Sequence, residues 1–176
     1  MFALIFGLSF LANAQDVQKD QPKGYQFTDI KRLPATSVKD QARAGTCWSW
    51  SGISFFESEM IRMGKEPIDL SAMYIVRHAY SDKATKFVRL HGSMNFAVGG
   101  AFCDVMHVIK NYGIVPMDVY MGLNYGEPNH AFGEIDDVLA GYINAVIKNS
   151  NKKLSTAWKK GFDGILDAYL GEEPEK

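Results

Sequence analysis

Within the stretch Gln41-Ala-Arg-Ala-Gly45-Thr-Cys47-Trp48 stand the residue types that nucleophilic acyl transfer needs. The thiolate is the working form of a cysteine nucleophile, and a helix N-terminus or a nearby cation favours it. Trp50, Ile53, Phe56, Met60 and Met63 recur three or four apart, which predicts a helix that opens at Cys47. The unpaired amides of its first turn would then point at the sulfur. Gly45 allows the backbone to turn sharply just before it. Gln41 can swing its carboxamide to where a carbonyl oxygen becomes negative during attack. A donor in such an oxyanion site is typically worth about 3 kcal/mol of barrier.

That chemistry also needs a base to take the thiol proton and return it to the leaving amine. The histidines are His78, His91, His107 and His130. His78 and His107 fall inside predicted helices, His91 beside Gly92 and His130 after Asn129 read as loop residues, and no neighbour orients any of them as a base. The histidines and cysteines show no ligand spacing, so neither a metal nor another cofactor is expected.

The elements that must position these residues read as helices. The first, from Cys47, stops at Gly64 with Pro67 behind it. Trp48, Phe55 and Ile61 lie off its main stripe, so it is expected to be buried between two layers. A second begins near Ser71, an N-cap candidate, and carries Met73, Ile75, Val76 and Tyr80. Gly99-Gly100 precedes a third, which presents Phe102, Val105, Met106, Ile109 and Tyr112 and ends at Gly113. A fourth runs through Ile135, Leu139, Ile143 and Ile147, and a fifth starts near Ser155 and reaches Gly171. Strand signals are confined to a few residues between Val115 and Tyr120.

Composition bounds the rest. With 176 residues, 47% hydrophobic and 22% charged, the chain is an ordinary globular one with room for a real core. A net charge of −1 offers no field for nucleic acid or an anionic membrane surface. The apolar run Phe2 to Leu11 is too short to span a bilayer as a helix, and Ala12-Asn13-Ala14 gives a small-x-small cleavage pattern. Residues 1–14 are therefore expected to be a signal peptide, although no Lys or Arg precedes Lys19; an N-terminal core strand is the alternative. Residues 15–40, broken by Pro22, Gly24 and Pro34, are expected to form an extended arm, and residues 41–176 a helical domain. Export leaves a Cys47–Cys103 disulfide open. Cys103, flanked by Phe102 and Asp104 at a helical position, is otherwise expected to be a small packing residue.

Gln41-x5-Cys47-Trp48 resembles the active-site segment of papain-like cysteine peptidases. In that family the cysteine opens the central helix, the glutamine completes the oxyanion hole, and a histidine and an asparagine follow much later. Leu70-Ser71, Gly99-Gly100 and Tyr112-Gly113-Ile114-Val115-Pro116 fall in the family's order. The glycine pair resembles the one that holds the substrate backbone. The helix end Ile165 to Gly171 and the closing Pro174-Glu175-Lys176 look like the aminopeptidase C and bleomycin hydrolase branch. The resemblance implies an α+β fold of which this chain is the mainly helical N-terminal domain, truncated before the histidine and asparagine. It implies Cys47 and Gln41 as catalytic residues, and Gly99, Gly100 and Trp48 as substrate-binding ones. It also implies peptide substrates, no cofactor and a hexameric ring. Many relatives tie the nucleophile loop to the glycine segment by a disulfide, but Ala44 stands in the first place and no cysteine lies between Cys47 and Gly99. An inert truncated product, a peptide-binding helical domain and a secreted all-helical structural domain are the competing readings. In a half ended before that histidine, the central helix would expose its other apolar side.

Overall fold

In a computed structural model of the chain, residues 24–25 and 27–174 are described; the expected signal peptide lies outside them. Residues 33–174 form one compact unit and residues up to Arg32 a separate one, whose described residues include no helix or strand and leave Tyr25, Phe27 and Ile30 exposed. The larger unit holds five helices: α1 (Cys47–Arg62), α2 (Ala72–Arg89), α3 (Phe102–Tyr112), α4 (Gly133–Ile147) and α5 (Trp158–Leu170).

Helix α2 packs against each of the other four. Its first nine residues, Ala72 to Tyr80, are all buried, which no amphipathic surface helix could be. Burying polar groups is tolerable only where they find partners. Arg77 pairs with Asp167 of α5, Tyr80 donates to Asp136 of α4, and Tyr74 donates to the Tyr112 carbonyl at 3.2 Å. Ser71 caps the helix as expected, accepting from the Tyr74 amide at 3.0 Å while its hydroxyl donates to the Tyr120 carbonyl at 2.6 Å.

Helix α1 opens at Cys47 as its spacing predicts, and Gly64, at φ +77°, follows its end. Its buried face differs from the expected apolar stripe. Trp48, Ser49, Gly52, Ile53 and Glu57 are inside, whereas Phe55 and Met63 are exposed. Small residues win here because close helix approach needs them. A Cβ on Gly52 would stand 2.8 Å from Val105 Cγ2 of α3, and the buried Ser49 hydroxyl donates to the Ala72 carbonyl at 2.8 Å. Phe55 and Phe56 instead meet Phe102 at the rim, with ring centroids 5.5 and 5.8 Å from it.

Two further expectations shift. Helix α5 starts at Trp158, three residues after Ser155. The strand sought near Val115–Tyr120 is a single antiparallel bridge, Leu70 to Pro116, held by Ser71 N to Val115 O and Met117 N to Asp69 O, both 2.9 Å.

Glu57, 1% exposed, draws these pieces together. Its carboxylate accepts from the Leu70 amide at 2.8 Å, from Lys39 Nζ at 2.8 Å and from the Thr36 hydroxyl. Burial pulls the Lys39 ammonium down, but hydrogen bonds and charge from Asp69 and Glu57 outweigh it and hold it above the usual lysine range. Removing one member of a buried pair strands the other in a dry site. Glu57→Ala is therefore expected to lower unfolding free energy by roughly 3 kcal/mol, and Glu57→Gln by less. Urea unfolding followed by circular dichroism measures both, and an unchanged Glu57→Ala midpoint would refute the role.

Candidate active site

The loop before α1 is built from two left-handed residues, Ala42 at φ +50° and Gly45 at φ +66°. Only Gly adopts this conformation without strain, and the Ala42 turn is braced by its amide donating to Asp40 Oδ1 at 2.7 Å. A parallel bridge between Arg43 and Ala131 fixes the outer side: Arg43 N donates to His130 O at 2.9 Å, and Phe132 N donates to Arg43 O at 3.2 Å. On the inner side a Cβ on Gly45 would meet Val98 Cγ1 at 3.2 Å.

Thr46 is the N-cap of α1, and its carbonyl accepts from the Ser49 amide at 2.9 Å. Its side chain accepts from Trp50 Nε1 at 3.1 Å and caps no backbone amide. The Cys47 and Trp48 amides therefore have neither an intrahelical carbonyl nor a side-chain cap, and remain available to an incoming oxyanion. Cys47 itself is exposed with a free thiol. Cys103 is exposed and free as well, so the two do not form a disulfide. Its expected packing role is not met, because at the second position of α3 it faces away from the buried Val105 and Val108.

Gln41 is half-buried, and its Oε1 is buried without a hydrogen-bond partner among the described residues. That orphan oxygen is an acceptor; the donor that could meet a bound oxyanion is Nε2 of the same carboxamide. Trp48 is pinned, with its Nε1 donating to the Val98 carbonyl at 3.0 Å. Its ring lies against Gly100, where an added Cβ would stand 2.5 Å from the indole. Gly99 meets no such obstacle, and its carbonyl accepts from Lys83. Trp48, which follows Cys47, and Gly100 are thus packed directly against each other.

No histidine hydrogen-bonds to the Cys47 thiol among the described residues. His78 is buried in α2 between the rings of Tyr74 and Tyr112, with Nε2 3.5 Å from Glu173 Oε1. His107 is exposed on α3, 3.0 Å from Asp82 Oδ2, and His91 is an exposed loop residue at φ +48°. The backbone of His130 holds the loop before α1, its carbonyl accepting from Arg43 N. The residue is buried, its ring centroid is 6.0 Å from that of Trp50, and its Nδ1 has no partner among the described residues. The sequence hinted at neither the Arg43–Ala131 bridge nor Lys83 over Trp48. Only the fold brings these distant residues together.

Burial depresses His130 below the usual histidine value. Since the unfolded chain binds that proton more readily, stability is full above the unfolded histidine value, near 6.5, and falls as pH drops below it. His130→Phe keeps the ring and removes the titration. Its melting temperature relative to wild type is expected to rise as pH is lowered from about 7 to 5; a difference independent of pH would show that His130 does not titrate in place.

The sequence pattern described as papain family cysteine protease matches residues 22–157 of the chain. No curated protein matches it. Among solved structures it is similar to PepW from Lactobacillus rhamnosis HN001, with a TM-score of 0.56, 19% identity and coverage of 81% of this chain. The chain spans 38% of that protein's length. At this identity the likeness is one of fold, and it agrees with a mainly helical domain of the papain-like type.

Proposed function

The chain belongs to the papain family of cysteine proteases, and on that premise we propose that the whole polypeptide is a peptidase of the aminopeptidase C and bleomycin hydrolase type. Cys47 attacks the peptide carbonyl, and its thiol proton passes to a histidine of the whole polypeptide other than His78, His91, His107 and His130, held by an asparagine. The Gln41 carboxamide and the Cys47 amide receive the oxyanion. Gly99 and Gly100 present backbone to the substrate chain, and Trp48 supports them. The observation that carries this reading is the free, exposed thiol at the first position of α1, with uncapped amides behind it and an uncommitted glutamine before it. The two helices after α3, and the ending of α5 at Leu170, support the choice of branch. Export, peptide substrates and a ring of six copies remain proposals of the same reading. No described helix is long and apolar enough to cross a membrane.

A second reading rests on the absence of a histidine bonded to Cys47 among the described residues: the 176-residue chain by itself binds peptides and hydrolyses none. Thiol alkylation separates the two. If a base is engaged, iodoacetamide modifies Cys47 far faster than Cys103 at mildly acidic pH. If none is, Cys47 reacts at the rate of an ordinary helix-start thiol. In the whole polypeptide, Cys47→Ala is expected to abolish hydrolysis of a fluorogenic aminoacyl amide; retained turnover would sink the assignment.

A further inference from the structure

Residues 94–100 lead into the glycine pair and make no backbone–backbone hydrogen bond among the described residues. A segment with so little backbone support should open locally at low cost. Its position must come from side chains. Met94, Phe96 and Val98 pack partly buried on the core, which holds the segment down without fixing its rotation. The carbonyls are fixed by polar groups. Val98 O accepts from Trp48 Nε1 at 3.0 Å. On either side of it, Gly99 O accepts from Lys83 Nζ, and Ala97 O lies 3.4 Å from the same ammonium. That ammonium is 5.4 Å from the centre of the Trp48 ring, close enough for the cation to be attracted by the indole face.

Three consecutive carbonyls thus end on two side chains that touch each other, one from α2 and one from the second position of the nucleophile helix. We propose that Lys83 is a positioning residue: it clamps Ala97 and Gly99 over the Trp48 ring and so fixes the glycine pair beside Cys47. Only the use made of those glycines rests on the peptidase reading; the clamp is independent of turnover. It favours a cation, because a neutral amine would bond the two carbonyls more weakly and lose its attraction to the indole face. Burial pulls Lys83 below the usual lysine value, against the support of Asp104 from α3 and Asp136 from α4, and Lys86 on α2 pushes the same way as burial. The clamp should therefore loosen on the alkaline side earlier than an exposed lysine would.

Hydrogen exchange by mass spectrometry on the full chain tests this. Lys83→Met keeps the stem and removes the charge; exchange across residues 94–100 is expected to rise at least tenfold, with other segments unchanged. Lys83→Arg is expected to restore protection. Unaltered exchange in Lys83→Met would overturn the proposal, as would Lys83→Arg behaving like Lys83→Met, since the stem rather than the charge would then hold the segment. Should Lys83→Met fail to fold, the wild-type Trp48 ring carbon resonances serve instead. Their titration below the usual lysine value, absent in Lys83→Arg, supports the clamp, and its absence in wild type overturns it. These readouts need no hydrolysis, so a whole polypeptide that holds the clamp and cleaves no peptide counts against the peptidase reading alone.

Discussion

The site depends first on a buried carboxylate that is nowhere near the chemistry. Glu57 sits more than two turns along α1 from Cys47, and its three donors come from two different stretches of chain. Thr36 and Lys39 belong to the segment that leads into the nucleophile loop, and Leu70 starts the bridge that precedes α2. A charge in so dry a place must be satisfied completely. The segments that satisfy it are therefore held to α1 in one arrangement. Because Lys39 lies so close in sequence to Gln41 and Asp40, the anchor at Glu57 also limits where the loop before α1 can begin. Hydrophobic burial alone would not fix it so closely, since packing is far less directional than a hydrogen bond.

Much of this was legible from residue order. The start of α1 at Cys47, the Ser71 cap and the glycine stops at 64, 113 and 171 follow from local rules that each residue obeys by itself. Gln41, Cys47, Trp48 and the glycine pair could be proposed as a site because their spacing is local or their type is rare. What escaped depends on residues brought together from far apart. The buried face of α1 was misread because hydrophobicity favoured Phe55 and Met63, while the fold selects Ser49 and Gly52 for their small size. Glu57 looks in sequence like an ordinary solvated position on a helix. Its partners lie 13 to 21 residues away, and nothing in the pattern announces them. The start of α5 slipped from Ser155 to Trp158 for a simpler reason: helix ends are weakly encoded, and Trp158 is anchored by Tyr142, whose hydroxyl donates to its carbonyl at 2.9 Å.

Within the site, strain and satisfaction are distributed unevenly. The loop accepts a left-handed Ala42 to aim the chain into α1, while Gln41 and the first amides of the helix are left without structural partners. Rigid support lies on either side, in the Arg43–Ala131 bridge and in the contact of Trp48 with Val98. The helix amides are donors held by a satisfied frame, which need not reorganise when a negative charge arrives.

The contact between Trp48 and Gly100 has a further consequence for how this sequence can drift. Any side chain at position 100 would enter the indole ring, and any reshaping of the ring would leave a gap beneath the backbone there. The two positions are separated by more than fifty residues, yet they share one volume. Divergent descendants of this chain should change them together or leave both alone, so that a paired substitution at 48 and 100 would be the trace of this packing in a lineage where the rest of the loop had become unrecognisable.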